Sequence, residues 1–208
     1  PVAALFRLAR EINPELRKVG VVWNPSEPNS EASTVMARAI CKELGIELVE
    51  VTVDSAAGVA EAANAVVGRG VQAIWAGGDV TVAVGIDSLM AAARNGRIPV
   101  FTNMPDYVNN GSLFSLGANY HEIGRLSGQL AAKVLRGLSP ASVPVENLLP
   151  EQFAINTTAV KGLEPVWTIP QKWLDRADIV VNESGIQTKS RQRTTDRKST
   201  RLNSSHRT

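Results

Sequence analysis

Between Lys18 and Thr102 the sequence alternates two periods, and that alternation restricts the fold more than any other feature. Short β-rich runs (Lys18–Trp23, Ile46–Val53, Val71–Ala76, Ile98–Thr102) are separated by stretches with helical spacing (Ser30–Leu44, Ala56–Val67, Val80–Arg94). Near-continuous apolar strands joined by amphipathic helices predict a parallel sheet with helices on both faces. Punctuation agrees: Asn13-Pro14 ends a first helix built on Leu5, Leu8, Ala9 and Ile12, Gly45 stops the second, and Asn95-Gly96 ends the fourth. In the second helix Val35, Ala39, Ile40 and Leu44 are expected on one apolar face.

Beyond Thr102 the pattern changes. Residues 104–110 read as a polar loop, Ser112–Leu116 as a short strand and His121–Leu135 as a strong helix stopped by Gly137. The stretch Leu138–Pro150 carries three prolines and reads as an extended connection. Gln152–Asn156 follows as a strand, then Thr157–Leu163 and Trp173–Val181 as short helices. From about Gly185 the chain becomes a Ser/Thr/Arg/Lys tail with few apolar residues, a composition expected to stay disordered. Its segment Asp196–His206 resembles a translated sequencing adapter, a genuine basic tail being the alternative.

Charge excludes one class of function for the folding part. The 208 residues carry a net +2, but Ile186–Thr208 alone carries +6, so the body is mildly acidic and offers no basic footprint for nucleic acid. No run approaches the roughly 18 apolar residues of a membrane-spanning helix. The chain opens on Pro1 in a helical stretch, so its true beginning is read as missing and the absent signal peptide carries little weight. The single cysteine, Cys41, reads as a small buried hydrophobe, since neither His121 nor His206 is placed to activate it.

Enzyme signatures are largely missing: no dinucleotide or phosphate-loop glycine pattern, no Gly-x-Ser-x-Gly, no metal-ligand spacing. The expectation is a binding module without catalytic residues, cofactor or metal. Three polar turns instead follow strands, and in open parallel sheets ligands bind beyond the carboxyl ends of strands. In the first, Asn24, Ser26, Glu27, Asn29 and Ser30 precede a helix, where free N–H groups favour an anion such as a carboxylate. Helix capping by Asn29 or Ser30 explains the same residues equally well. In the second, Asp79 with Thr81 suits a ligand ammonium group, or a plain N-cap. Thr102 and Asn103 end the fourth strand at the same edge. Trp23 and Trp75 sit just before these turns and read first as core.

The runs Lys18–Ser30, Ala76–Val82, Ile98–Phe101, Gly111–Leu113 with Gly117–Tyr120, Gly124 and Ile169–Asp178 resemble the ABC transporter substrate-binding family that includes aromatic amino-acid binders. One departure is Val80, where a common pattern has Asn. The resemblance implies a type I periplasmic binding fold of two α/β lobes with the solute held between them. It divides the chain into a helix from a missing amino-terminal lobe (1–12), the carboxyl-terminal lobe (13–115), a return segment of the missing lobe (116–145), completion of the present lobe (146–184) and the tail (185–208). It further implies an amino acid, carboxylate against the Ser26–Ser30 loop and ammonium against Asp79 and Thr81, with Asn119 also at the cleft. The partners implied are a small-molecule solute and a membrane ABC permease, with no nucleic acid, for a monomer in the periplasm or lipid-anchored to the cell envelope. A ligand-sensing effector domain of a regulator or receptor with the same fold is the rival reading.

Overall fold

The computed structural model describes residues 2–144 and 149–189. Helix α1 (Val2–Ile12) leads into strand β1 (Lys18–Trp23), followed by α2 (Pro28–Leu44), β2 (Glu47–Thr52), α3 (Val59–Gly68), β3 (Ala73–Ala76), α4 (Val80–Val84), α5 (Ile86–Asn95), β4 (Val100–Thr102) and β5 (Phe114–Ala118). The remainder comprises α6 (Tyr120–Leu135), β6 (Glu151–Asn156), α7 (Gln171–Arg176), β7 (Ile179–Asn182) and β8 (Gly185–Thr188). One sheet runs β2-β1-β3-β4-β5-β6-β7-β8. Strands β1 to β5 are mutually parallel, β6 is antiparallel to β5 and parallel to β7, and β8 closes an antiparallel hairpin with β7. The expected α/β sheet with helices on both faces is therefore present, with a mixed-direction end added to its parallel part.

The period of two along each strand divides the core into two layers. Val19, Val21, Trp23, Trp75 and Phe101 meet α1 and α2 on one face. Val22, Ile74, Ala76 and Val100 meet α3 and α5 on the other. Leu5, Leu8, Ala9 and Ile12 of α1 are buried as their spacing predicts, and Phe6 joins them with no exposed surface. Phe6 lies edge-on to Trp75 and Phe101, each centroid 5.3 Å away, and Phe101 stacks on Phe114 at 5.4 Å. Burying a phenyl group of this kind contributes about 2 kcal/mol. Helix α1 is thus part of the core.

Several expectations are corrected. The run Val80–Arg94 is two helices, because Gly85 interrupts it where the chain presses on α3: a Cβ at Gly85 would lie 2.7 Å from Val59 Cβ. In α2 the buried face is Ser30, Thr34, Ala37, Ile40 and Cys41, while Val35 is half exposed and Ala39 faces solvent. Two buried hydroxyls take the place of the apolar residues that the spacing favours, and the Ser30 hydroxyl is compensated by a hydrogen bond to Asp79. Neither Asn29 nor Ser30 caps α2; the helix starts at Pro28 with Glu27 at the cap position and no side-chain cap bond. Pro28 supplies the fixed φ that suits a first helical residue. Residues 157–163 form a short 3-10 turn (Thr157–Val160) and not a longer helix. The stretch Trp173–Val181 is α7 followed by β7; the β-branched Ile-Val-Val run leaves the helix and joins the sheet beside β6. Gly185–Thr188 is a strand and not the start of a disordered tail, since the turn after Asn182 folds it back onto β7. The rest of the tail, from residue 190, lies outside the described residues, as do 145–148 of the Pro-rich connection.

Helix α6 differs from every other long helix. It has no buried residue, Leu130 and Leu135 are exposed, and Ile123, Leu126 and Val134 are only half covered. Its apolar stripe has the helical spacing of a packed surface, yet the described residues bury none of it fully.

Candidate functional site at the carboxyl ends of the strands

Strands β1, β3 and β4 are adjacent and parallel, with Val21 opposite Trp75 and Ala76 opposite Thr102. The turns that follow them, at residues 24–30, 77–81 and 103–104, therefore emerge along a single rim. Asn29, Asp79 and Asn103 all belong to it.

Asp79 joins the first two turns. Its Oδ2 accepts the backbone N–H of Asn24 at 2.6 Å and the Ser30 hydroxyl at 2.6 Å, while Oδ1 accepts the N–H of Val82 at 2.8 Å. It is thus the N-cap of α4, as its position suggests, and also the anchor of the neighbouring loop. Only 3 % of its surface is exposed. The compensation is a set of three donors, the condition under which a carboxylate tolerates burial.

A second carboxylate makes the reverse crossing. Glu27 Oε1 accepts the Thr81 N–H at 2.8 Å and the Thr81 hydroxyl at 2.6 Å, and Oε2 accepts the Val80 N–H at 2.8 Å. Loss of water around Glu27 pushes its carboxyl pKa up. The donors from Thr81, Val80 and Asn29 outweigh that and hold it below the usual carboxylate range. Asn24 Nδ2 donates to Thr81 Oγ1 at 2.9 Å, and Asn29 Nδ2 donates to the Gly78 carbonyl at 2.7 Å. Asn24 Oδ1 accepts the N–H of Ser26, whose residue is exposed. Six of the expected residues (Asn24, Glu27, Asn29, Ser30, Asp79 and Thr81) therefore form one bonded network, with Ser26 on its outer edge.

The third turn is held separately. Trp75, almost wholly buried, donates its indole N–H to Asn103 Oδ1 at 2.8 Å. The core reading of Trp75 holds, and its polar edge also positions the rim. Thr102 is buried and its Oγ1 accepts the Met104 N–H. Behind Asn103 stands Gly117 of β5: a Cβ there would lie 1.8 Å from the Asn103 carbonyl oxygen and 2.8 Å from Pro105 Cδ. Sequence reasoning assigns Gly117 no part in the site, because a close backbone approach leaves no mark except the glycine itself. Tyr107 also escapes it, lying in a stretch that reads as polar loop; burial and the nearby Asp79 charge push its phenol pKa up. Asn119 stands apart. It caps α6 by accepting the Glu122 N–H and donates its own N–H to the Pro150 carbonyl, with no hydrogen bond to the three turns among the described residues.

Beside the network, a depression of about 430 Å³ opens between the first turn, the end of β2 and α3. Asn24, Pro25 and Ser26 form one wall, and Thr52, Asp54 and Glu61 lie across from it. Among the described residues no group of three or more His, Cys, Asp or Glu side chains could hold a metal ion. No described helix is long and apolar enough to cross a membrane.

Polar turns gathered at the carboxyl ends of parallel strands are where open α/β sheets hold ligands. The sequence profile described as ABC transporter substrate binding protein matches residues 2–181, and the chain belongs to that family. A protein of Clostridioides difficile named tyrosine-binding protein is 27 % identical over 159 residues, which cover 76 % of this chain and 46 % of that protein. Among solved structures, a conserved domain protein of Vibrio cholerae superposes with a TM-score of 0.76 at 34 % identity, over 86 % of this chain and 60 % of that one. The ABC domain in complex with L-Trp from Streptococcus pneumonia gives 0.75 at 25 % identity, over 87 % and 60 %. This chain thus spans between about half and three fifths of the length of these relatives.

Proposed function

We propose that the protein is the solute-binding component of an ABC uptake transporter, and that the rim holds one side of an amino acid with an aromatic side chain. The observation that carries this reading is the bonded network of Asn24, Glu27, Asn29, Ser30, Asp79 and Thr81, set at the strand ends with Asn103 on the adjacent strand. The names of two similar proteins, one binding tyrosine and one complexed with L-Trp, support the ligand class. In this reading the exposed Ser26 hydroxyl donates to the ligand carboxylate, while the Asn29 amide carbonyl, an acceptor, turns toward the ammonium side. The Glu27, Asp79 and Thr81 side of the network faces the ammonium group, and Thr102, Asn103 and Asn119 border the cleft. Because Asp79 already accepts three hydrogen bonds, its part is mainly to supply negative potential and hold both loops in place.

A second lobe supplies the other wall. Residues 2–118 and 149–184 belong to the lobe that carries the rim, while α6 passes to the second one, which covers its apolar stripe. Support comes from the lack of any buried residue in α6 and from the share of each relative that the chain spans. Closure of the two lobes by hinge motion excludes water, strengthens the polar contacts and presents the solute to a membrane permease. No bond is made or broken. The complete protein acts as a monomer, in the periplasm or anchored by lipid to the cell envelope.

Calorimetry of the two-lobed protein against the twenty amino acids tests the reading. Tyrosine or tryptophan is expected to bind most tightly, and Asp79→Asn to weaken that binding at least tenfold. Absence of heat with every amino acid discards the ligand class.

A further inference from the structure

A separate cavity of about 350 Å³ lies at the opposite edge of the sheet, where β4 begins and β6 ends. Its floor is apolar, formed by Met90, Ala93, Ile98, Val100 and Leu163, all at least nine-tenths buried. Three cations, Arg94, Arg97 and Lys161, stand at its wall, and among the described residues none that lines it is acidic. The cations come from two distant segments, the end of α5 and the loop after the 3-10 turn at Thr157–Val160.

A basic residue in the last turn of α5 is ordinarily explained by the helix dipole. That accounts for the presence of Arg94 but not for its direction. The Arg94 Nη2 lies 3.9 Å from where a Cβ on Gly111 would stand, so the guanidinium reaches over the Asn109-Asn110-Gly111 turn on the cavity wall. Among the described residues Arg94 forms no ion pair. Arg97 pairs with Glu164 at 2.6 Å and Lys161 with Glu183, but all four side chains are more than half exposed. Pairs of that kind are weak and readily exchanged for another anion.

We infer that this cavity binds a small organic oxyanion, with its apolar body on the floor and its phosphate or carboxylate head between Arg94 and Lys161. Cavities of this volume accept small molecules, and an apolar lining with a few converging polar groups is their usual character. The site lies at the other end of the strands from the three-turn rim and is independent of the amino-acid reading.

Phenyl phosphate is a suitable probe, with inorganic phosphate as the comparison, titrated into the 208-residue chain by calorimetry and by amide chemical shifts. Phenyl phosphate is expected to bind saturably and at least fivefold more tightly than inorganic phosphate, with shifts at Gly111 and Gly162. Arg94→Gln and Lys161→Gln, both at exposed positions, are each expected to weaken it at least fivefold with an unchanged circular dichroism spectrum. The basic residues beyond 189 are common to every variant, so they cannot produce that difference. No saturable binding, equal affinity in both variants, or equal affinity for the two phosphates overturns the inference.

Discussion

Asp79 and Glu27 are two carboxylates exchanged between neighbouring loops. Asp79→Ala leaves the Asn24 N–H, the Ser30 hydroxyl and the Val82 N–H without their acceptor in a buried place. A loss of about 3 kcal/mol is expected in urea denaturation, from a lost N-cap and unpaired donors. Glu27 lies at the surface and its effect is smaller, but its sign is fixed. Its folded pKa lies below the ordinary 4.5, so its contribution is present above that pH and is lost as pH falls through the folded value. Glu27→Gln is therefore expected to flatten the acid limb of the stability profile below pH 4.5 and leave the neutral region less stable. Cys41 illustrates the opposite environment. Burial first, then the Glu50 charge, pushes its thiol up to about 12. A disulfide reagent at a mildly alkaline pH is expected to leave it unmodified in the native chain and to label it promptly in urea.

At the scale of elements, Gly117 fixes the third turn. Gly117→Ala meets a backbone carbonyl, which cannot rotate away as a flexible side chain would. About 2 kcal/mol of destabilisation is expected from overpacking, together with shifted amide resonances at Asn103 and Met104. Helix α6 behaves differently: Leu130→Gln with Leu135→Gln removes exposed apolar surface and is expected to leave the denaturation midpoint nearly unchanged. Both changes reduce binding of a hydrophobic dye to the chain; unreduced dye fluorescence would show that the stripe is not the exposed surface. The elements most legible in the sequence are those with a strong period and a clear stop, such as α1 before Asn13-Pro14 and α6 before Gly137. The misread ones share a cause. Gly85, Val59 and the α4–α5 break are a tertiary contact, and β7 and β8 are strands because a partner lies beside them. Periodicity along one segment carries no record of what packs against it.

The whole molecule shows the same division. Adjacency of the three turns follows from the strand order that parallel α/β topology favours, so the order of strands and helices along the chain is enough to gather residues 24–30, 79–81 and 102–103 at one edge. The internal bonding is not legible in that way. Nothing in the spacing shows that Ser30 and Asp79 bond each other, that Glu27 spans to α4, or that Trp75 holds Asn103. Side chains that look available to a solute are in large part bonded to one another, leaving Ser26 and the carbonyl of the Asn29 amide as the open polar groups of the first turn.

If the rim is one wall of a solute cleft, as proposed, it recognises its half of the solute weakly without the other wall. Amide chemical shifts during titration with L-tryptophan, and with L-tyrosine to its solubility limit, measure this directly on the present chain. Changes that saturate at roughly millimolar ligand, confined to residues 24–30, 78–81 and 102–104, are the predicted result. Unmoved resonances in all three turns, or changes confined to other surfaces, would contradict the assignment of the rim as the solute site.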